Sequence, residues 1–144
     1  MTETLPPPQL EHVCDLAVTI SPPIEVGQTA AGLRRVIPIT GGVVKGPRLN
    51  GKVLAGGADF QLILAGGTQA HLDARYVIEL DDGTRVFVQN TALRFASLEN
   101  SQRIMRGEPV NPAEIYFRCQ PQLEAAGEKW AWLGESQFIG SGRR

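Results

Sequence analysis

The chain has 144 residues, 42% of them hydrophobic and 20% charged, which is enough to bury a core without metals or disulfides. Fourteen basic residues face 15 acidic ones, a net charge of −1, so no basic face is on offer to a phosphate backbone and a nucleic-acid binder is not expected. No apolar run approaches the ~20 residues of a membrane helix, and with aromatics at only 6% the girdles of an outer-membrane barrel are missing too.

Residues 1–9 lack the basic start and apolar stretch of a secretory signal, so a cytoplasmic protein is expected. Pro6, Pro7 and Pro8 forbid a helix there, and the stretch reads as a flexible tail ahead of one domain over residues 10–144. Residues 10–20 alternate apolar and polar and predict a strand, ended by Ser21, Pro22 and Pro23. Further runs rich in Val, Ile, Leu and Phe follow at 34–40, 47–54, 59–64, 70–80, 84–90, 115–119, 129–133 and 137–140. Glycine pairs separate several of them, and Gly41-Gly42, Gly56-Gly57 and Gly66-Gly67 read as turns. Asp82-Gly83 between two alternating runs is the strongest hairpin signal. Asn50-Gly51 is either a turn or a bulge within a strand. One stretch, 97–107, reads as a short helix capped by Ser97 and stopped by Gly107 and Pro109.

Short strands at this spacing, with one helix and no room for parallel crossovers, predict an all-β fold. The architecture expected is a closed antiparallel up-and-down β-barrel of lipocalin or streptavidin type. It should have about eight to ten strands, with the helix covering one end.

Blocks of the sequence also resemble a known family. They are residues 35–57 (RVIPITGGVVKGPRLNGKVLAGG), 72–76 (LDARY), 81–83 (DDG), 107–112 (GEPVNP), 115–118 (IYFR) and 132–144 (WLGESQFIGSGRR). Together they resemble the domain of unknown function 3237, also called uncharacterised protein family 0311. Phe60 stands where that family more often has Trp, and Trp130 where it has Tyr. The resemblance implies a one-domain antiparallel barrel, often oligomeric, so a homo-oligomer is expected. It implies no agreed catalytic residues.

Candidate site residues therefore come from chemistry and strand parity. Alternate side chains of a strand face opposite sides. Parity groups Asp59, Gln61 and Ile63 on one face, and Leu72, Ala74, Tyr76, Ile78 and Leu80 on another. It groups His71, Asp73, Arg75, Val77 and Glu79 together, and Glu114, Tyr116, Arg118 and Gln120 together. Two orientations stay open. Either the apolar faces fill the barrel and Asp73 and Arg75 form surface pairs, or some polar stripes turn inward. In the second case Asp59, Asp73, Arg75 and Arg118 make a buried cluster. Two carboxylates in one cavity would then raise one pKa, giving an acid beside a base with a guanidinium to hold an anion.

On this reading Asp59 and Asp73 shuttle a proton, Arg75 stabilises an anion, and Tyr76, Tyr116, Arg118 and Trp132 contact the ligand. His12 and His71 show no ligand spacing, so no metal and no cofactor are expected. Cys14 and Cys119, the only cysteines, form no disulfide framework. Three functions stay open. The first is a cofactor-independent isomerase, lyase or cyclase acting beside a carbonyl of a small organic molecule. The second is a lipocalin-like carrier of a small apolar ligand, and the third a structural, oligomer-forming protein.

Overall fold

Ladder hydrogen bonds join every strand of the chain into one antiparallel sheet of nine strands. The computed structural model describes residues 2–144, so Met1 of the expected tail lies outside it. Residues 2–14 carry no regular structure, and the first strand, β1 (Asp15–Ile20), begins later than the alternation suggested. After the break at Ser21-Pro22-Pro23 the chain resumes as β2 (Ile24–Gln28), a strand the sequence reading had not placed. Both pair with β3 (Leu33–Lys45), β1 along its second half and β2 along its first. Next, β4 (Gly51–Val53) and β5 (Ala58–Leu64) divide the other edge of β3 in the same way. β6 (Gln69–Leu80) pairs with both, then β7 (Arg85–Phe95) with β6, β8 (Tyr116–Ala125) with β7, and β9 (Gly140–Ser141) with β8. β1 and β2 share one position in the sheet, as do β4 and β5, and every other connection leads to the neighbouring strand, which is the up-and-down order expected.

The sheet curls so that its inner face encloses the core. Leu16 from its first strand and Leu123 and Ala125 from β8 pack against the same cluster of Ile39, Val53, Tyr76, Ile78, Val86 and Val88. Side chains of β1 and β8 thus meet in one core.

Three local readings need correction. Gly41-Gly42 is no turn; both lie inside the long β3, where the pairing with β1 slips by a residue beside Thr19 and Ile20. A Cβ on Gly42 would run into the Ala17 carbonyl oxygen, so glycine serves close strand approach there rather than chain reversal. Residues 129–133 form no strand, because Ala131–Leu133 turn as a 3-10 helix. Its Trp130 indole and the Lys129 ammonium both donate to Asp82 Oδ2, at 3.0 and 2.7 Å, tying this segment to the β6–β7 hairpin. Strands β7 and β8 also run five or six residues past their predicted ends.

The hairpin itself forms as read, with Gly83 N–H donating to Leu80 O at 2.8 Å. The helix α1 (Leu98–Met105) starts under its Ser97 cap, whose hydroxyl accepts from Asn100 N–H at 3.1 Å. It buries Ser101 and Ile104 and lays Met105 against Ile63, Ala70, Leu72 and Ala92, covering one end of the interior. The opposite end is covered by Trp130, Trp132, Leu133 and Phe138.

Candidate functional site

Strand register arranges the inner face in rows. One row runs Ile37, Asp59, Ala74, Asn90, Pro121 across β3, β5, β6, β7 and β8. A second, nearer α1, runs Leu33, Ile63, Ala70, Arg94, Phe117. Between them, Arg35 is paired in register with Gln61. These rows bring charged and amide groups inside at positions where a packed barrel would carry apolar ones. Arg35 is 4% exposed, Gln61 0% and Arg94 5%.

Some of these groups are spent on partners. Arg35 Nε donates to Glu25 Oε1 at 2.9 Å, and its Nη1 reaches Met105 Sδ at 2.7 Å. Gln61 Nε2 donates to Asp59 Oδ2 at 2.9 Å. The β5–β6 pairing lapses between the Asp59–Ala74 and Leu62–His71 partners, and there Asp59 Oδ1 accepts from the backbone N–H of Asp73 at 3.1 Å. Other atoms are left over. Gln61 Oε1, Asn90 Oδ1 and Arg94 Nη1 are buried without a hydrogen-bond partner. Buried orphans of this kind are costly and few in native folds. Here all three belong to inner-face residues near Asp59, and Ala74, the smallest chiral side chain, stands between Asp59 and Asn90.

Burial sets the electrostatics. It pushes the Asp59 carboxyl above the usual aspartate range, against the opposing pull of Gln61, the Asp73 N–H and the charges of Arg144 and Arg94. Burial likewise lowers the Arg94 guanidinium to about 10, helped by the positive charge of Arg144. Tyr76, 4% exposed, has its phenol raised by burial and then by Cys119, Cys14 and Asp59, so it stays protonated. Arg144 is exposed, yet its charge is felt at Asp59, Arg94 and Arg35. A strap delivers it. β9 lies along β8, and Gly142 N–H donates to Phe117 O at 3.0 Å. A Cβ on Gly140 would stand 2.6 Å from Cys119 Sγ, and one on Gly142 2.6 Å from the Phe117 ring, so only glycine lets the strap lie so close to inward-facing side chains.

The residues singled out from sequence divide between the two faces. Asp59 and Tyr76 point inward. Asp73 and Arg75 lie on the outer face and bind each other, Arg75 Nη2 donating to Asp73 Oδ2 at 2.9 Å. Tyr116 and Arg118 are exposed on the outer face of β8, the guanidinium 5.3 Å from the phenol ring centroid. Trp132 packs at the apolar end, with the Arg48 guanidinium 4.1 Å above its ring. His12 and His71 are exposed and bond to Asp15 and Gln69. Among the described residues no three His, Cys, Asp or Glu side chains gather as a metal site, and no helix is long and apolar enough to cross a membrane. Open grooves of about 340 and 600 Å³ on the outer face share Val77, Arg85 and Phe87 in their walls; none of the three orphans lies there.

Sequence reasoning missed Arg35, Gln61, Asn90 and Arg94 as site residues. The signal for Arg94 was the alternation Val86, Val88, Asn90, Ala92, Arg94, which continues one inward stripe past the predicted strand end.

The fold is that of a barrel-like antiparallel protein whose inner face carries polar groups toward one end. The family model described as "Protein of unknown function (DUF3237)" matches residues 8–144, and the chain belongs to that family. A relative named UPF0311 protein, from Rhodopseudomonas palustris, is 42% identical over all of this chain and 92% of its own length. The crystal structure of a beta-barrel-like protein from Acinetobacter baumannii superposes with a TM-score of 0.83 at 38% identity, covering 99% of this chain and 92% of that one. A more distant relative, a hydroalkoxylation enzyme of Penicillium herquei, is 33% identical over 86 residues, which is 60% of this chain and 56% of that protein. The crystal structure of an enzyme from the same fungus matches at TM-score 0.73 and 22% identity, over 100% of this chain and 90% of that one, a likeness of fold alone.

Proposed function

We propose that the chain is a small-molecule-binding barrel that performs cofactor-independent acid/base chemistry beside a carbonyl, as an isomerase, lyase or cyclase. The observation that carries this reading is the set of three orphaned buried polar atoms around one inward carboxyl of raised pKa. A carboxyl raised above the usual aspartate range keeps its proton to higher pH and is a stronger base once ionised, which suits general acid/base work. In the simplest cycle Asp59 takes a proton from carbon next to the carbonyl. The charge that develops on the carbonyl oxygen is met by Arg94 Nη1, and Asp59 returns the proton to a different carbon. Atoms and electrons balance without an oxidant. The same carboxylate can take the proton of a hydroxyl as its oxygen adds to one carbon of a C=C and return that proton to the other carbon; hydroalkoxylation, the activity in the distant fungal relative's name, is the addition of an O–H across a C=C. Asp73 contributes through its backbone N–H, which holds Asp59 in place.

A second reading, a carrier without turnover, is favoured by one specific feature: the outward turn of Asp73 leaves Asp59 without a carboxylate partner. One experiment separates the two. The protein is screened by thermal shift against small aromatic acids, lactones and α,β-unsaturated carbonyl compounds. Stabilising compounds are then incubated in deuterated water and followed by proton NMR. Acid/base catalysis predicts exchange or isomerisation that Asp59→Asn slows by about 100-fold or more. Binding with no exchange in the parent protein would leave the carrier.

A further inference from the structure

The orphaned atoms also specify what the ligand must be. We infer that these inner-face groups wall a chamber that takes a small organic anion, a carboxylate or enolate, that also carries at least two O–H or N–H donors. The anionic oxygen meets Arg94 Nη1, and the donors reach Gln61 Oε1 and Asn90 Oδ1. This rests on the chamber being the binding site, as proposed above, but not on any proton transfer.

The charge balance comes first. Arg35 is neutralised by Glu25 and is therefore set aside. That leaves Arg94 opposite Asp59, with exposed Arg144 adding positive charge nearby. Arg94 is 5% exposed and has no carboxylate of its own; only the Phe117 ring lies under it, 5.9 Å from the guanidinium carbon to the centroid. A buried guanidinium without an anion is among the costlier arrangements in a protein, so its retention points to a partner that arrives from outside.

The donor pattern is set by Gln61. Its Nε2 is committed to Asp59 Oδ2, so the amide cannot turn without losing that bond, and the oxygen is the atom left for a ligand. Asn90 Oδ1 is a second acceptor across Ala74 from Asp59. Two free acceptors and one free cationic donor together are complementary to a hydroxylated acid. They are wrong for a hydrocarbon, whose entry would leave all three unpaired. The side chains beside these groups are small. Ala70, Ala74 and Ala92 occupy inner positions of β6 and β7 beside these groups, where the apolar half of the barrel has Ile78, Val86 and Val88.

The test compares affinities of the intact protein for the dihydroxybenzoate isomers, meta-hydroxybenzoate, benzoate and the matching neutral dihydroxybenzamides. At least one dihydroxybenzoate should bind about tenfold or more tightly than both benzoate and its own amide. Arg94→Met should erase the acid-over-amide preference, Arg94→Gln should do the same if the first variant folds poorly, and Asn90→Leu should shrink the hydroxyl preference alone. Equal affinity for acids and amides, tightest binding of the unsubstituted ring, or no shift by any acid at about 10 mM each overturns the inference. The two readings fail separately. The predicted order without proton exchange keeps the ligand class and removes the acid/base enzyme. Exchange on neutral ketones with no preference for anions does the reverse.

Discussion

The two halves of the barrel interior are built from the same strands and obey opposite rules. The half toward the Trp130–Trp132 segment is dry. Val44, Val53, Ile78, Leu80, Val86 and Val88 are at most 4% exposed, and this packing has no charge to accommodate. The half toward α1 interleaves Ile63, Ala70, Leu72 and Ala92 with Arg35, Gln61 and Arg94. The same β6 and β7 supply both, since their inner stripes change from Ile78 and Leu80 to Ala70 and Ala74, and from Val86 and Val88 to Asn90 and Arg94. The apolar half supplies stability, and the polar half gives some of it up to keep unsatisfied groups in a fixed place, the pattern of a functional site.

Substitutions in the two halves should therefore move stability in opposite directions. The largest effect belongs to the dry half. Ile78→Ala removes a side chain that is 1% exposed and should cost about 2–5 kcal/mol in denaturant unfolding. Ligand affinity, read below the unfolding transition, should hardly change. Arg94→Met makes the opposite trade. It swaps an unpaired buried donor for an apolar side chain of similar length and should stabilise the ligand-free barrel by about 1–3 kcal/mol while abolishing stabilisation by acids. A loss of stability comparable to that of Ile78→Ala would mean that Arg94 already has its partner within the fold.

Asp59→Asn sharpens the contrast through pH. The raised pKa means that, between the ordinary aspartate value and the raised one, the folded chain keeps a proton the unfolded chain has released. The stability tied to this group is whole below the ordinary value and is lost as pH rises through the raised one. The asparagine variant carries no such loss. It should be more stable than the parent at neutral pH, and the difference should vanish below about pH 4. Melting curves across that range check it; a variant less stable at neutral pH would place Asp59 among paired, structural carboxylates.

Much of this was legible in the sequence, and the limit of legibility is physical. Period-two alternation correctly grouped Asp59 with Gln61 and Ala74 with Tyr76, because pleating forces it. Alternation cannot say which group is inside, and β6 shows why. Its outer stripe of His71, Asp73 and Arg75 is as chemically suggestive as any inner one, while its inner stripe is nearly all apolar. Arg35 shares parity with the buried Ile37 and Ile39, but an arginine beside a second arginine gives no local sign of burial. Gly140 ended a predicted strand and Gly142 carried no assignment, because their role depends on Cys119 and Phe117, distant in sequence. Long-range register, absent from any local window, turned these residues into a chamber.

The smallest expected effect is also the cleanest contrast between the two faces. Asp73 and Asp59 are aspartates on neighbouring strands, and the backbone N–H of one bonds the carboxylate of the other. Asp73 meets Arg75 in solvent, where an ion pair adds little because water screens the attraction and two side chains lose freedom. Asp73→Asn keeps the backbone N–H that holds Asp59, so melting temperature, acid affinity and any proton exchange should all stay at parental values. If Asp73→Asn instead removed exchange while Asp59→Asn left it intact, the reacting group would bind on the outer face, and the interior chamber would be a structural feature.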